Sequence, residues 1–455
     1  FYIMYNKPQI SGNPESGIRN PELVSVFWFR RDLRLDDNTG LREALKAGDP
    51  VLPLFIFDTV ILKKLSHDDR RVAFIHLQLS EIDKELRKYG SSLLVKVGKP
   101  VEVFGQLMQE INIRAVYANR DFESYGVQRD TNVKNLLAAN GAGFFGFTDH
   151  VIMEPGSVVK ADGKPFEVFT PFRNRWMKLF ATDGRDRANG SDRAWPVTRF
   201  IEYIHTPIPS LEEIGFSTSN ISFPKKETDS EKLAAYHETR DFPALDSTSR
   251  LGVHLRFGTI SIRQLVAKAA SLSETFLDEL IWREFFIHIL AFYPRVVNES
   301  FRKQYDNIRW LNDETAFKRW CDGTTGYPLV DAGMRELKAT GFMHNRVRMV
   351  TASFLVKHLL IDWRWGESWF ASLLLDYELA SNNGNWQWAA GCGCDAAPYF
   401  RIFNPMRQQQ RFDPNFIYIK KWVPEFGSKD YPHPMIDHEF ARERCIRVYK
   451  GALRL

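Results

Sequence analysis

"VSVFWFRRDLRLDDNTGLREALKAGDPVLPLFIFD" (Val24–Asp58) opens and closes with short apolar runs, VSVFWFR and VLPLFIFD. Such runs are typical of buried strands. Between them, NTGLREALKAG predicts a short amphipathic helix that ends at Gly48. A strand, a helix and a second strand in this order favour a parallel sheet.

The same alternation continues to about residue 150. Helical patterns at Asp69–Gly90, VEVFGQLMQEI and VQRDTNVKNLLAANG alternate with strand patterns at SLLVKVG, RAVYAN and GFFGFTD. They predict a doubly wound, parallel five-stranded sheet over residues 23–150, a Rossmann-like α/β domain. The loop after the first strand, RRDLRLDDN, is charged and lacks glycine. It therefore argues against a nucleotide held by the usual phosphate-binding turn.

Three further segments complete the chain. Residues 1–22 have no clear period and carry several Gly, Pro and Asn, so we expect a loosely ordered extension. Prolines and glycines recur over residues 151–220, which predicts an interdomain linker that runs over the surface. Long helical patterns then dominate residues 221–455 and predict a larger, all-α domain.

The composition is that of a globular protein. The chain has 455 residues, of which 44% are hydrophobic and 26% charged, and no apolar run is long enough to cross a bilayer. Four cysteines are too few for a disulfide framework, and Cys392 and Cys394 lack a second pair at zinc spacing. We therefore expect an intracellular, cytoplasmic protein without a metal. The net charge of +5 allows a polyanion partner, and the 12 tryptophans suggest flat ligands.

Four clusters in the helical domain combine polar and aromatic residues. In STSRLGVHLRFGTIS (Ser247–Ser261), hydroxyls, an arginine and glycines at a helix start can hold phosphate, although Ser and Thr there are often only caps. Glu279, Trp282 and Arg283 share one helix face through their i, i+3, i+4 spacing. They indicate either a structural Glu–Arg pair under a tryptophan or the polar, stacking wall of a pocket.

The third cluster has Asn345, Arg348 and Met349 at the same spacing, and a core methionine beside exposed polar residues is the alternative. The fourth, LLDYELASNNGNWQWAA, places two acids before Asn382. Its mixture of amides and tryptophans does not fit the periodic pattern of an ordinary helix. Together the clusters describe a helical cavity without metal ligands or a Ser-His-Asp order, which suits a bulky aromatic cofactor.

Several of these stretches resemble the photolyase/cryptochrome family. The resemblance rests on FWFRRDLRLDDN, STSRLGVHLRFGTIS, ELIWREF, FMHNRVRMVTASFLVKHLLIDWRWG and ASNNGNWQWAAGCGCDAAPYFRIFNP, which follow the family's order from about Val24 onward. It is closest to class I cyclobutane pyrimidine dimer (CPD) DNA photolyases. It implies an enzyme with one non-covalent FAD folded in the helical domain.

The resemblance implies two groups of FAD-binding residues. The first would hold the phosphates: Tyr236, Thr248, Ser249, Arg250, Leu251 and Gly252. The second would contact the flavin and its sugar side: Arg348, Asp376, Tyr377, Glu378 and Asn382. Arg348 would pair with Asp376, and Asn382 would face flavin N5. The family often has Ser at the position of Gly252, so one hydroxyl is missing here.

A lesion pocket and an electron relay are implied as well. The catalytic pocket would be lined by Glu279, Trp282, Asn345, Met349 and Trp388, whose two tryptophans would stack on flipped pyrimidines. The relay from the surface to the flavin would be formed by Trp386, Trp363 and Trp310. A (6-4) photolyase would be expected to carry histidines in place of Asn345 and Met349, which disfavours that subclass.

The resemblance also implies contacts to DNA and to a second chromophore. The DNA-binding residues would be Arg240, Arg283, Arg346, Arg401 and Gln408. The basic stretch RIFNPMRQQQRFDPNFIYIKK, with one acid at Asp413, suits phosphates, and a solvated basic face is the alternative. Glu123 matches a glutamate that binds the folate antenna in some members. Methenyltetrahydrofolate, a deazaflavin and an empty antenna site are all compatible with its surroundings.

The predicted function is light-dependent repair of CPDs in DNA, by electron transfer from excited reduced FAD to a flipped-out dimer. The predicted protein is a monomer that needs neither membrane nor metal. A cryptochrome-type blue-light receptor is the alternative from another class, and it would use the same FAD and tryptophans. Such receptors often lose the lesion-pocket residues, and all five are present here. A (6-4) photolyase is the third alternative.

Overall fold

The computed structural model describes residues 23–184, 200–202, 207–217 and 222–453. Its contacts divide the chain into two compact units. The first contains residues 23–150, the described part of 200–217, and 257–261; the second contains 151–184, 222–256 and 262–453. The predicted extension, residues 1–22, lies outside the described residues. The predicted linker, residues 151–220, is shared between the two units.

The first unit is built on a parallel sheet. Its strands are β1 (Val24–Phe29), β2 (Val51–Asp58), β3 (Leu94–Gly98), β4 (Ile113–Asn119) and β5 (Gly143–Phe147). Its helices are α1 (Thr39–Lys46), α2 (Thr59–Leu62), α3 (Arg70–Arg87), α4 (Pro100–Glu110) and α5 (Ser124–Ala139). The strand order is β3-β2-β1-β4-β5, and every neighbouring pair is parallel. The predicted α/β fold is therefore confirmed.

Strand β1 lies at the centre of this sheet and is buried on both faces. Trp28 belongs to one core cluster with Phe104 of α4 and Leu137 of α5. Because side chains alternate along a strand, Phe27 points to the opposite face. There α1 comes so close that a Cβ atom on Gly40 would lie 2.9 Å from the Phe27 ring. A strand covered on both faces needs a continuous apolar run, which is what the sequence shows.

The second unit is helical. Its α-helices are α6 (Phe169–Leu179), α7 (Ser230–Ala234), α8 (Tyr236–Thr239), α9 (Gly252–Phe257), α10 (Ile262–Leu272), α11 (Glu274–Phe292), α12 (Glu314–Asp322), α13 (Pro328–Thr340), α14 (Asn345–Ser353), α15 (Trp363–Leu373), α16 (Leu379–Ala390), α17 (Pro405–Phe412), α18 (Ile417–Trp422) and α19 (His438–Leu453). Short 3-10 helices span Pro294–Val297 and Lys303–Asn307, and π-helical turns span Phe180–Gly184 and Phe354–His358. This architecture confirms the predicted helical domain.

Helix α16 forms although its sequence lacks a single apolar stripe. Its polar side chains find partners inside the unit, so the helix is buried on more than one side. It ends at Gly391, whose φ of +87° is a left-handed conformation that favours glycine. The sequence shows no helical periodicity here because several faces of the helix are buried, so its apolar residues do not form one stripe.

The beginning of the predicted linker packs against α11 instead of running over the surface. Helix α6 buries Phe172 and Trp176, which are 1% and 0% exposed. The fully buried Glu284 of α11 accepts hydrogen bonds from Trp176 Nε1 (2.6 Å) and from the backbone N–H groups of Met153 (3.2 Å) and Ile152. One carboxylate thus ties three points of this segment to α11. Burial raises the pKa of Glu284 to about 7.

We expect Glu284→Ala to lower the free energy of unfolding by about 2–4 kcal/mol, because it leaves three buried N–H donors without their acceptor. The loss should be larger at pH 5 than at pH 8. The folded chain keeps the Glu284 proton up to about pH 7, whereas the unfolded chain releases it near the ordinary value of 4.5. Wild-type stability relative to the variant therefore falls as the pH rises through this window. Urea unfolding at both pH values measures the difference.

Glu274→Ala is the matched control, since Glu274 stands on the same helix with its side chain 76% exposed. It should change the free energy of unfolding by no more than about 0.5 kcal/mol. A Glu284→Ala loss that is equal at the two pH values, or greater at pH 8, would contradict the assigned pKa.

Candidate functional site

Helix α16 presents its two tryptophans on different sides. With 3.6 residues per turn, Trp386 and Trp388 point about 160° apart. Trp386 is buried, whereas Trp388 is partly exposed. Asn382 stands one turn before Trp386 and shares its side of the helix.

The two adjacent amides of α16 have different partners. Asn382 Nδ2 donates to the side-chain carboxylate (2.7 Å) and the backbone carbonyl (3.1 Å) of Glu367. Asn383 Nδ2 and Gln387 Nε2 both donate to the backbone carbonyl of Val296, at 3.0 and 2.9 Å. The Asn383–Gln387 pair thereby fixes the rotation of α16 about its axis. Neither Glu367 nor Gln387 was singled out from the sequence, although the i, i+4 spacing of Asn383 and Gln387 is a usable signal.

A cavity of about 100 Å³ lies beside α14 and α16 and brings the two predicted groups of residues together. Its lining includes the predicted flavin-binding residues Arg348, Asp376, Tyr377, Glu378 and Asn382, and also Trp386. It further includes the predicted lesion-binding residues Asn345, Met349 and Trp388. Residues placed apart along the chain thus face one space.

Two arginines hold the acids of this cavity. Arg348 Nη2 lies 2.9 and 3.2 Å from the carboxylate oxygens of Asp376, which confirms the predicted pairing. Arg283 Nη2 donates to Glu378 Oε1 at 3.0 Å, and both side chains are buried. Arg283 was predicted to contact DNA. A contact to DNA stays a prediction; in the folded chain the Arg283 guanidinium is held by Glu378, because the buried carboxylate needs a cationic partner.

A second cavity, of about 950 Å³, collects hydroxyl and cationic groups. Three predicted phosphate-binding residues line it: Thr248, Ser249 and Arg250. Lys225, Lys232 and Thr228 line it too, although none of them was singled out from the sequence. Leu251 instead lies in the core with 1% exposed, so it could offer only its backbone.

Consecutive residues line the two cavities, and the chemistry of the cavities fits FAD. Leu375 lines the larger cavity and Asp376 the smaller one. Gly252, the first residue of α9, lies against Asp376, since a Cβ atom there would stand 2.6 Å from Asp376 Oδ2. The larger cavity offers the cations and hydroxyls that phosphates need, and the smaller one offers the amide, acids and indoles that suit a flavin ring. The missing side chain at Gly252 leaves the space that Asp376 occupies.

Glu279 and Tyr236 lie near Arg240 and are not part of the lining of these two cavities. Arg240 Nη1 is 2.6 Å from Glu279 Oε1, and its guanidinium lies over the Tyr236 ring at 5.4 Å. Burial raises the pKa of Glu279, and the Arg240 charge opposes this rise. The pKa of Tyr236 is also raised, first by burial and then by the Glu279 charge.

Trp282 stands one turn after Glu279 on α11 and is partly buried. Its ring lies flat on that of Phe169, with centroids 3.7 Å apart and planes 6° apart. It also touches Phe285 and Phe286 of its own helix. The sequence analysis did not single out Phe169, since it falls in the predicted linker.

The three tryptophans predicted as a relay differ in burial. Trp386 and Trp363 are buried, and Trp310 is partly exposed. The ring contacts of Trp386, among the residues the structure describes, are with Phe370 (centroids 5.0 Å) and Trp320 (6.1 Å). Trp320 is a fully buried indole that sequence reasoning missed, because nothing in its spacing marks it.

A basic surface follows α16 in the chain. Its exposed members are Arg401, Arg407, Arg411, Lys420 and Lys421. The one acid among them, Asp413, is buried and accepts hydrogen bonds from the N–H groups of Tyr418 (3.2 Å) and Ile419 (2.9 Å). Its charge therefore serves the start of α18 and does not neutralise the surface. Arg346, another predicted DNA contact, pairs with Asp241 at 2.6 Å, and Gln408 is half-buried on α17.

In the first unit, the predicted antenna residue Glu123 accepts a hydrogen bond from Arg31 Nη1 at 2.8 Å. Arg31 also lies 3.2 Å from Asp121. Both acids follow β4, and Arg31 follows β1, so this group stands at the carboxyl edge of the sheet where its strand order reverses. Open α/β sheets commonly bind ligands at such an edge.

Within the described ranges, no cluster of three or more His, Cys, Asp or Glu could hold a metal ion. No helix of the described residues is both long enough and apolar enough to span a membrane.

Comparison with known proteins agrees with this geometry. The family model for DNA photolyase matches residues 25–189, and the model for the FAD binding domain of DNA photolyase matches residues 276–428. A deoxyribodipyrimidine photo-lyase of Vibrio cholerae is 37% identical over 472 residues, which cover 94% of this chain and 100% of that relative.

Two solved structures share the fold over nearly the whole chain. An archaeal photolyase from Sulfolobus tokodaii, solved with two FAD molecules, has a TM-score of 0.80 at 35% identity and covers 94% of this chain and 100% of its own. A cryptochrome from Synechocystis has a TM-score of 0.82 at 28% identity and covers 95% of this chain and 100% of its own.

The chain belongs to the DNA photolyase family. The family and the FAD-binding domain predicted from the sequence are thereby confirmed. The predicted enzyme class agrees with the name of the curated relative. Because a photolyase and a cryptochrome resemble the chain about equally in structure, the fold leaves the repair subtype open.

We expect Gly384→Ala to disturb the site, because a Cβ atom at this position of α16 would lie 2.1 Å from the Phe286 ring of α11. The two helices would have to separate, at a cost of about 1–3 kcal/mol in the free energy of unfolding. FAD retention should fall as well. Urea unfolding and the ratio of flavin to protein absorbance after purification measure the two effects.

Gly451→Ala is the matched control, since Gly451 lies in helix α19 and a Cβ atom added there would have no neighbour within 4 Å among the described residues. It should be neutral or stabilising by up to about 1 kcal/mol, as expected for Ala in a helix. If the two variants behave alike, the close approach of α11 and α16 is not a constraint on the site.

Proposed function

We propose that the chain repairs cyclobutane pyrimidine dimers in DNA with light. The observation that carries this proposal is the shared cavity: Asn345, Met349 and Trp388 line the same space as Asn382 and the Arg348–Asp376 pair. A pocket for a flat pyrimidine pair would therefore stand directly beside a pocket for a flavin. Electron transfer without a relay requires such proximity.

In this proposal, FAD supplies the light-excited electron that opens the cyclobutane ring and then receives it back. Lys225, Lys232, Arg250 and the nearby hydroxyls would hold its phosphates. Asn382 would face flavin N5, where an amide can serve as donor or acceptor. The bond from Asn382 Nδ2 to Glu367 would keep this amide in one orientation.

Glu279 would accept the N–H groups of the flipped pyrimidines. Without DNA its carboxylate is paired with Arg240. DNA phosphates would compete for Arg240, so lesion binding would free the carboxylate for the base edge. The raised pKa of Glu279 indicates that a carboxylate here is costly when it has no cationic or N–H partner.

The subclass proposal depends on Asn345 and Met349. Neither side chain can transfer a proton near neutral pH, and both face the cavity beside Trp388. His344, the nearest histidine in sequence, is buried, and its Nδ1 accepts the backbone N–H of Arg346. Burial lowers the pKa of His344 to about 4, so it is neutral near pH 7. These features favour cyclobutane dimers over (6-4) photoproducts.

Illumination of the reduced, FAD-loaded chain should restore an oligonucleotide that bears one cyclobutane thymine dimer. It should leave an oligonucleotide with one (6-4) photoproduct unchanged, since the cavity offers no titrating acid where one would be needed. Chromatography of the two products measures the outcome. Repair of the (6-4) lesion would overturn the subclass. Repair of neither lesion, with FAD bound, would favour a light receptor.

The same assay tests Glu279. Glu279→Ala should lower the repair yield about tenfold, because it removes hydrogen bonds between a charged carboxylate and the lesion. The flavin absorbance should stay unchanged. Glu274→Ala on the same helix serves as control and should repair normally. Equal repair by the two variants would refute the role of Glu279.

Trp386, Trp363 and Trp310 would pass electrons inward from the surface when the flavin must first be reduced. Their burial supports this order, because only Trp310 of the three is accessible to an external reductant. Trp386 also lines the flavin-side cavity. Indole is one of the few side chains that can be oxidised transiently.

Trp386→Phe should slow the light-driven reduction of bound FAD by an external thiol, because it removes the indole nearest the flavin side of the cavity. Trp369→Phe is the matched control, since Trp369 is half-buried and outside the proposed relay. Flavin absorbance under steady illumination measures the rate. An unchanged rate in Trp386→Phe, or an equal loss in Trp369→Phe, would contradict the relay.

The exposed basic surface around Arg401 and Arg407 would hold the phosphates beside the lesion, together with Arg240 and Arg346. We propose a monomer that acts on DNA inside the cell. Glu123, whose Oε1 is paired with Arg31, would contact an antenna chromophore through its carboxylate. A folate, a deazaflavin or an empty site would each be compatible with this arrangement.

A further inference from the structure

Phe169 makes a close, stacked ring contact with Trp282. Its ring lies parallel to that of Trp282, with centroids 3.7 Å apart. Phe169 is the first residue of α6 and is 8% exposed. It therefore covers one face of the tryptophan that the proposed function places in the lesion pocket.

Helix geometry tells which face of Trp282 is covered. Three residues along an α-helix correspond to a rotation of about 60°, so Phe285 and Glu279 lie about 60° to opposite sides of Trp282. Phe169 touches Phe285 as well as Trp282, with ring centroids 5.9 Å apart in the first contact. It therefore lies on the side away from Glu279. On the Glu279 side of Trp282 stands Phe286, whose ring is tilted by 32° to the indole with centroids 5.5 Å apart.

Phe169 is held in place by contacts that do not involve Trp282. Its backbone N–H donates to Asp395 Oδ2 at 3.0 Å. Further along α6, Trp176 Nε1 donates to Glu284 at 2.6 Å, which ties the helix to α11. Asp395 follows directly after Cys394, in a stretch to which the sequence assigned no functional residue.

We propose that Phe169 is a positioning residue for lesion binding, which holds the Trp282 indole in one plane so that its other face can stack on a flipped pyrimidine. This inference rests on the proposed function. A free indole on a partly exposed helix face would sample several rotamers and would lose that freedom on binding. Because the parallel Phe169 ring already restricts the indole in the free protein, less conformational entropy is lost on binding. The stacking of the two rings also stabilises this conformation. The beginning of the predicted linker is then part of the substrate site.

The test compares binding in the dark to double-stranded oligonucleotides with and without one cyclobutane thymine dimer. Phe169→Leu keeps an apolar side chain but loses the flat ring. It should weaken binding to the dimer about fivefold and leave binding to undamaged DNA unchanged. Protein concentrations are set from flavin absorbance, so that unfolded material does not distort the Kd.

Phe172→Leu is the matched control. Phe172 lies one turn further along α6, is 1% exposed, and contacts Phe285 and His288 but not Trp282. Phe172→Leu removes a ring that is at least as buried as that of Phe169. This variant should keep the wild-type ratio between the affinities for dimer-containing and undamaged DNA. Phe169→Tyr restores a flat ring and should return the ratio to that of the wild type.

Three outcomes would overturn the inference alone: an unchanged ratio in Phe169→Leu, an equal loss in Phe172→Leu, or a Phe169→Tyr variant as weak as Phe169→Leu. A wild-type chain that binds both oligonucleotides equally would instead overturn the proposed function, and this inference with it.

Discussion

The close approach of α11 and α16 is the constraint on which the candidate site depends. Because Gly384 has no Cβ atom, the Phe286 ring can lie at the position where the Cβ atom of any other residue would stand. Helix α11 carries Glu279 and Trp282, and α16 carries Asn382 and the two tryptophans. A similar contact places Gly366 of α15 against the Trp386 ring, 2.1 Å from where its Cβ atom would stand. Two glycines thus determine how near the predicted flavin-binding and lesion-binding residues can come.

Ion pairs then orient the helices around the cavity. Arg283 of α11 holds Glu378, the residue before α16, and Arg348 of α14 holds Asp376. The Arg283–Glu378 pair is buried, and a buried acid without a partner is costly, so this pair strongly favours one arrangement of its two segments. The Arg348–Asp376 pair is partly exposed and favours its arrangement less strongly. The two acids that precede Asn382 therefore have separate cationic partners. They serve to bring three helices together as much as to contact a ligand.

The beginning of the predicted linker shows where a local sequence pattern gives a wrong prediction. Its prolines and glycines are typical of a surface connection, yet Glu284 reaches across more than 100 positions to bind Ile152, Met153 and Trp176. Single long-range contacts of this kind leave no periodicity in the sequence. The same holds for Trp320 beside Trp386 and for Phe169 beneath Trp282. The partners of Glu284, Trp386 and Trp282 come from distant parts of the chain, and the spacing of residues along the sequence does not reveal such partners.

The sequence by itself determined the α/β sheet, the helical domain and the resemblance that names most of the site residues. Continuous apolar runs and long helical periods are local properties, and long motifs can be recognised without knowledge of the fold. Only the tertiary structure decided which residues face one another: that Arg283 points inward to Glu378, that Asn382 binds Glu367, and that Asp413 turns away from the basic surface. The reason is physical. The direction of a side chain depends on partners from distant segments, and those become neighbours only when the chain has folded.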